Sequence, residues 1–297
     1  MEIYTPILAA HCRRLEEALP TLLPAPGGPQ DTVVRAMIHG CADGGKRIRP
    51  VLTMEFCRLL CGDAEPALPF AAAVEMIHSY SLIHDDMPCM DNSPLRRGKP
   101  AVHTAFGEDM ALLAGDGLLT FAFETMLSDT TLSTVPADRA AVAAGVLARA
   151  AGVYGMVGGQ TIDIESDGKQ IPLSRLEQLQ EGKTGALLRA ACEMGVVVGG
   201  GDETARRAAA AFGDHLGRSF QMTDDILDVT ASADALGKPT GSDAVNEKVT
   251  YVSLLGLDKT RELAAEQTAA AIKALDAFSG DTESLKQLAI ALLHRDR

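Results

Sequence analysis

Tryptophan is absent from this 297-residue chain, and aromatic residues make up only 4% of it. With so few rings available, Ala, Leu, Val and Met must fill the core, which favours closely packed helices over a β-sandwich. Alternating apolar and polar runs of strand length are missing, and so is any internal repeat of solenoid period. There is no basic excess either: 27 Lys and Arg stand against 40 Asp and Glu, a formal net charge of −13. That balance argues against a nucleic-acid partner, which needs a basic face. It leaves room for an anionic substrate, because divalent cations and a local group of Lys and Arg can reverse the sign inside one cleft. None of the six cysteines forms Cys-x-x-Cys or a zinc spacing, so free thiols in a reducing compartment are expected. The N-terminus Met1-Glu2-Ile3-Tyr4-Thr5-Pro6 is acidic where a signal peptide would be basic, and no apolar run is expected to span a membrane. These absences together predict a cytoplasmic protein.

What is present is helical pattern. Hydrophobic residues reach 46%, enough for a sizeable core. The expectation is an all-α fold, residues 1–297 as a single domain, with about ten to twelve helices around a central cavity. Helices are predicted near residues 2–20, 51–61, 67–87, 105–128 and 203–228. Asp31 or Thr32 is placed as the cap of the second helix, and Ser174 as the cap of a short one, with Glu177 completing a capping box. Gly158-Gly159-Gln160 is expected to end a helix, and Glu181-Gly182-Lys183-Thr184-Gly185 to interrupt another. Residues 229–248, polar and containing Gly and Pro, read as a lid over a site.

The chemistry concentrates in two acidic clusters. His84-Asp85-Asp86-Met87-Pro88-Cys89-Met90-Asp91 places three carboxylates directly after an apolar helix, and Arg96 and Arg97 follow at once. Pro88 should stop that helix, so Asp85 and Asp91 are not expected on one helical face. The theme recurs at Asp224-Asp225-Ile226-Leu227-Asp228. Asp224 and Asp228 sit one turn apart and repel each other on a bare helix. A bridging divalent cation would relieve that, and oxygen ligands without His or Cys indicate Mg²⁺ rather than zinc. An exposed acidic helix face accounts for the second cluster taken alone; the first cluster upstream, and the apolar neighbours Phe220, Ile226 and Leu227, argue for a metal-filled cleft.

A third stretch, Gly44-Gly45-Lys46-Arg47-Ile48-Arg49-Pro50, puts cations at the start of a helix, where the helix dipole disfavours them unless an anion joins. A solvated basic turn explains it equally well. Glu75-Met76-Ile77-His78 matches the Glu-x-x-His of a di-iron carboxylate bundle, but such a bundle needs two copies and no other histidine has a Glu three residues before it. His78 alone on an apolar helix reads as a core or surface histidine.

The ordered set Gly45-Lys46-Arg47-Ile48-Arg49-Pro50, His78, Asp85-Asp86-x-x-x-x-Asp91, Arg96-Arg97-Gly98, Gly158-Gly159-Gln160, Lys183-Thr184-Gly185, Phe220-Gln221-x-x-Asp224-Asp225-x-x-Asp228 and Gly237-Lys238 resembles the trans-isoprenyl diphosphate synthases, close to the bacterial farnesyl diphosphate synthases. The resemblance covers nearly the whole chain. It implies that Asp85, Asp86 and Asp91 bind Mg²⁺ on an allylic diphosphate from one wall, and Asp224, Asp225 and Asp228 from the other. It implies that Arg96, Lys183 and Lys238 contact that diphosphate, with Lys248 as a further lysine. Lys46, Arg49, His78 and Arg97 would form the isopentenyl diphosphate site, and Thr184 and Gln221 would line the reacting region. Asp163 would be a supporting acid. Tyr80, with Ser81 beside it, would set a fifteen-carbon product, farnesyl diphosphate. A homodimer is what the resemblance implies for assembly. Asn92-Ser93-Pro94 departs from the further acids that often follow the first motif, and Ser242 to Glu247 matches only loosely. A geranylgeranyl diphosphate synthase is the nearest alternative. A class I terpene cyclase would not need a second diphosphate pocket, so the basic cluster Lys46, Arg47, Arg49 and Arg97 argues against it. A non-catalytic modulatory subunit should have lost ligands that are all present here.

Overall fold

The computed structural model describes residues 4–42, 44–230 and 248–295, and Lys238 with most of the expected lid lies outside them. Among the described residues the fold is all-α, with twelve helices of eight residues or more and three shorter ones. In chain order they are α1 (Pro6–Leu22), α2 (Asp31–Cys41), α3 (Ile48–Cys61), α4 (Leu68–Asp85), the short α5 (Val102–Phe106), α6 (Glu108–Leu127) and the short α7 (Asp129–Leu132). They continue as α8 (Ala137–Ala151), α9 (Met156–Ser166), α10 (Leu173–Gln180), α11 (Ala186–Val198), α12 (Glu203–Thr230), the short α13 (Tyr251–Leu255), α14 (Leu257–Ala274) and α15 (Glu283–Leu293). Leu95–Arg96 pairs antiparallel with Lys99–Pro100 in a two-residue hairpin.

α4 runs through the middle of the bundle. It is apolar on nearly every side, the mark of a helix enclosed by others. Ala71, Ala72 and Ala73 are wholly buried, and their small side chains let α3, α6 and α11 approach. α11 is enclosed in the same way, between α3, α8 and α12. The few aromatics are spent at junctions: Phe56 of α3 meets Phe212 of α12 edge-on, with ring centroids 5.5 Å apart. α4 and α12 therefore enter the core along their length and carry their Asp clusters at their C-terminal ends.

Several local expectations change. α9 spans Met156–Ser166, so Gly158-Gly159-Gln160 lies inside a helix rather than ending one; the break falls at residues 152–155. Glu181–Gly185 is a single π-helical turn joining α10 to α11, not an interruption. Gly107, at φ 94, divides the predicted 105–128 helix into α5 and α6. Ser174 sits within α10, whose cap position is Pro172, and Asp31 opens α2 from inside its first turn while pairing with Arg35 at 2.6 Å. Two helical stretches, 108–132 and 137–166, are long and apolar enough to cross a membrane by composition, contrary to expectation. Both are broken, at Ser128 and at 152–155, and both pack into the bundle; Ala- and Leu-rich helices that fill a core pass the same test.

Candidate functional site

The first Asp cluster begins where α4 stops. Asp85 is the last helical residue, Asp86 follows as the cap, and Pro88 bars continuation. The chain then folds back: the Asp91 N–H donates to the Asp85 carbonyl at 2.8 Å and the Ser93 N–H to the Asp86 carbonyl at 3.1 Å. The turn returns Asp91 to Asp85 without a shared helix face, as Pro88 requires. Asp85 lines a cavity of about 610 Å³ together with Arg49, His78, Tyr80, Ser81, Lys183 and Thr184. Met87, Met90, Leu112, Met156 and Leu187 supply its apolar wall.

Lys183 belongs to the π turn. A π turn widens the helix by one residue and re-aims its side chains, which is why such turns recur at functional sites. It can lie flat on α9 because Gly159 has no side chain; a Cβ there would overlap the backbone nitrogen of Lys183. α9 then holds both partners of the site. Gln160 donates from Nε2 to Asp85 Oδ1 at 2.5 Å, and Asp163 accepts from Lys183 Nζ at 2.5 Å. Lys183 Nζ also stands 3.8 Å from Asp85 Oδ2. Burial pushes the Asp85 carboxyl above its ordinary range, Lys183 pulls it back, and Asp91 adds to the rise. Burial works against the Lys183 charge, but Asp85 and Asp163 outweigh it and hold the ammonium above its ordinary range.

The second cluster sits on α12 across the π turn. Thr184 Oγ1 donates to Gln221 Oε1 at 3.4 Å, and Gln221 Nε2 donates to Asp225 Oδ1 at 3.0 Å. Asp225, Gln221, Lys183, Thr184 and Lys248 line a second cavity of about 180 Å³, so Lys183 and Thr184 face both. The Tyr251 N–H donates to the other oxygen of Asp225 at 2.8 Å, which fixes that buried carboxylate from two sides. Asp228 is buried beside it. Asp224 accepts from Arg295 at 2.6 Å.

Some residues go elsewhere. Asp86, read as a metal ligand, gives both oxygens to Arg96 and is 2% exposed. It therefore holds Arg96 in place rather than facing the cavity. Arg47, counted with the basic cluster, is buried in ion pairs with Glu16 and Glu75. Glu75 is thus turned from His78, which lines the cavity, so the two do not act as a Glu-x-x-His pair. Lys46, Asp91, Arg96, Arg97, Asp224 and Asp228 do not line either cavity. His78 is held well below its ordinary pKa by burial and then by Arg49 and Arg97, so its ring is neutral. Burial also lowers Arg49, whose Nε is enclosed without a hydrogen-bond partner among the described residues.

Arg295 had no sequence signal beyond a basic tail. Its guanidinium lies 3.8 Å above the Phe220 ring and donates to the Phe220 carbonyl as well as to Asp224. Gln160 was legible as part of a motif, but its contact with Asp85 needed α9 to continue past the two glycines.

Whether Mg²⁺ fits can be judged from the donors. Among the described residues no three His, Cys, Asp or Glu side chains converge into a ready-made cage. Asp85 in the large cavity and Asp225 in the small one, with Asp91 returned to Asp85 by the turn and Asp224 and Asp228 within one turn of Asp225 on α12, offer only hard oxygen. That suits Mg²⁺, which takes one or two carboxylates and completes its shell with water and substrate phosphates.

The polyprenyl synthetase family profile matches residues 30–289. The farnesyl diphosphate synthase of Geobacillus stearothermophilus is 44% identical over 262 residues, covering 88% of each chain. The large subunit 1 of the heterodimeric geranylgeranyl pyrophosphate synthase of Arabidopsis thaliana chloroplasts is 47% identical over 249 residues, 83% of this chain and 67% of that one. Among solved structures, the apo FPP/GFPP synthase of Zymomonas mobilis superposes with a TM-score of 0.83 at 37% identity, over 96% of this chain and 95% of that one.

Proposed function

The chain belongs to the polyprenyl synthetase family and is a prenyltransferase of isoprenoid diphosphates, and from that premise we propose that it is a Mg²⁺-dependent enzyme condensing dimethylallyl or geranyl diphosphate with isopentenyl diphosphate, with farnesyl diphosphate as the main product. One observation carries the two-substrate reading. A single apolar-walled cavity has Asp85 and Lys183 on its wall and, in the same cavity, Arg49 with an unpartnered buried Nε beside a neutral His78. Two anionic heads and an apolar body between them match that distribution.

Asp85, Asp91, Asp224, Asp225 and Asp228 would hold Mg²⁺, which when bound supplies charge neutralisation to the leaving diphosphate. Lys183 and Arg96 would take the allylic diphosphate oxygens, with Lys248 as a further cation and Lys238 outside the described residues, so that negative charge growing on the leaving group meets fixed cations. Asp163 and Asp86 keep Lys183 and Arg96 aimed. Arg49, Lys46, Arg97 and neutral His78 would hold the isopentenyl diphosphate, whose double bond then meets the allylic carbon in a fixed orientation. The apolar wall excludes water from the carbocation. Thr184 and Gln221, hydrogen-bonded across the π turn, line the point where the chains join. The proton lost at the end would go to the released diphosphate.

The test is incubation with dimethylallyl and isopentenyl diphosphates plus Mg²⁺, with products sized by chromatography. A prenyl diphosphate longer than the primer is expected. Product formed from an allylic diphosphate alone would mean a cyclase instead. A geranylgeranyl product is the second reading, favoured by the name of the Arabidopsis relative. We propose a cytoplasmic homodimer as the working assembly.

The two cationic regions should separate in kinetics. Arg49→Ala is expected to raise KM for isopentenyl diphosphate, and Lys183→Ala that for the allylic diphosphate, each by about ten- to a hundredfold for a lost charge-assisted contact. Equal effects of both variants on both substrates would show that the sites are misassigned.

A further inference from the structure

The turn before α3 is left-handed at three of its residues: Gly44 at φ 73, Gly45 at φ 119 and Arg47 at φ 46. Glycine adopts that geometry freely; arginine does not, and holding it there takes compensation from the surroundings. The compensation is visible. Arg47 is 3% exposed, and its guanidinium is fully engaged. Nε donates to Glu16 of α1 at 2.7 Å, Nη1 to Glu75 of α4 at 2.5 Å, and Nη2 to the Cys41 carbonyl at the end of α2 at 3.0 Å. One side chain thus ties three helices to the start of a fourth. The Tyr4 hydroxyl donates to the Lys46 carbonyl, and Arg97 lies against Gly45 and donates to the Gly44 carbonyl.

Neither Arg47 nor Glu75 lines the cavity. Their neighbours are the residues that matter. Lys46 precedes Arg47, Arg49 follows two residues later, and His78 lies one helical turn beyond Glu75. Glu75 is also the acid that works against burial and Arg97 at Arg49 without overcoming them, so it serves as a counter-charge for a cluster of arginines. A buried ion pair of this kind is weak evidence for added stability, and setting geometry is its better-attested use.

We propose that Arg47 and Glu75 are positioning residues for the second diphosphate: the buried pair locks the left-handed turn at residue 47, and the turn sets where Lys46 and Arg49 stand relative to His78. The proposal rests on the two-diphosphate reading above. It assigns the middle cation of Lys46-Arg47-Ile48-Arg49 to the protein and only the outer two to substrate.

The test compares Glu75→Gln, Arg47→Gln and the double variant with the parent. KM for isopentenyl diphosphate, KM for the allylic diphosphate, kcat and Tm are measured for each. Releasing the turn should raise KM for isopentenyl diphosphate about tenfold or more, as for loss of a charged contact, and leave the allylic KM and kcat within about twofold. The two single changes should not add, because they break one unit. A single variant leaves a buried charge unpaired and risks unfolding, whereas the double variant removes both and carries the test by itself if the singles fail to fold. A folded double variant with the parental KM for isopentenyl diphosphate overturns the proposal, as does an equal rise in both KM values. Absence of any condensation product from the parent would sink the two-diphosphate reading, and this proposal with it.

Discussion

Asp85→Ala is expected to lower turnover by at least about 100- to 1,000-fold, the scale of losing one preorganised electrostatic group at a reacting centre. The reason is positional. Asp85 is the carboxylate that lines the large cavity, and Gln160 and Lys183 both converge on it. The stability effect should run the other way. Burial raises the folded pKa of Asp85 above its unfolded value, so the ionised group costs the fold free energy at neutral pH, and that cost disappears only as pH falls through the folded pKa. Removing the carboxylate should therefore leave Tm unchanged or higher while activity collapses. Asp224→Ala should cost a similar factor in rate, but its fold consequence differs. Asp224 is the acid paired with Arg295, a buried guanidinium whose Nε and Nη1 have no hydrogen-bond partner among the described residues, so alanine there removes the charge that offsets its burial. Asp224→Asn keeps the hydrogen bond and is the cleaner variant. EDTA should abolish activity in the parent and added Mg²⁺ restore it. Full turnover in metal-free buffer, or of Asp85→Ala, would end the two-wall metal reading.

The contrast between these two aspartates shows what the sequence could carry. Clusters, their order and the stop at Pro88 were legible because they depend on local chemistry: a proline cannot continue a helix, and carboxylates in a row repel. Which member of a cluster faces the cavity was not. Asp85 and Asp86 are adjacent in sequence, yet one lines the cavity and the other is buried against Arg96, a choice made by where the chain turns after α4. Arg47 and Arg49 divide in the same way. Their spacing suggested one basic patch, and only the left-handed turn sends Arg47 inward to Glu75. Glycine misled twice for a single reason. Gly159 and Gly182 look like helix breakers, but they are where α9 and the π turn touch backbone to backbone, and Gly158 lies against the Val153 carbonyl in the turn before α9. Small residues that permit close approach leave the same trace in sequence as small residues that permit a turn.

Tyr80→Ala is expected to shift the product from fifteen carbons to twenty or more. Tyr80 lies five residues before Asp85 on α4, so its ring is roughly 7.5 Å down the helix axis at about 1.5 Å per residue. Both side chains line the 610 Å³ cavity, which places the ring on the path of a chain anchored by its diphosphate at Asp85. The ring is braced on the side nearer Asp85. It packs edge-on against His84, with centroids 5.8 Å apart, and His84 donates from Nε2 to the Leu112 carbonyl of α6 at 3.1 Å. α6 can come that close because Gly115 leaves room for the imidazole. A ring braced through His84 against a second helix resists being pushed aside, whereas a ring on a loop would yield. Ser81 beside it is small and donates its hydroxyl to the His78 carbonyl, so it offers no barrier of its own. Alanine at 80 removes a 7%-exposed ring from the core and should cost about 3–5 kcal/mol of stability if the space does not collapse. Total activity will fall for that reason alone, so the ratio of product lengths is the quantity to compare, at a temperature where both proteins are folded. If the folded variant stops at the parental length, His84 or another wall sets the limit. If the parent itself makes twenty carbons, the ring is not a floor at all.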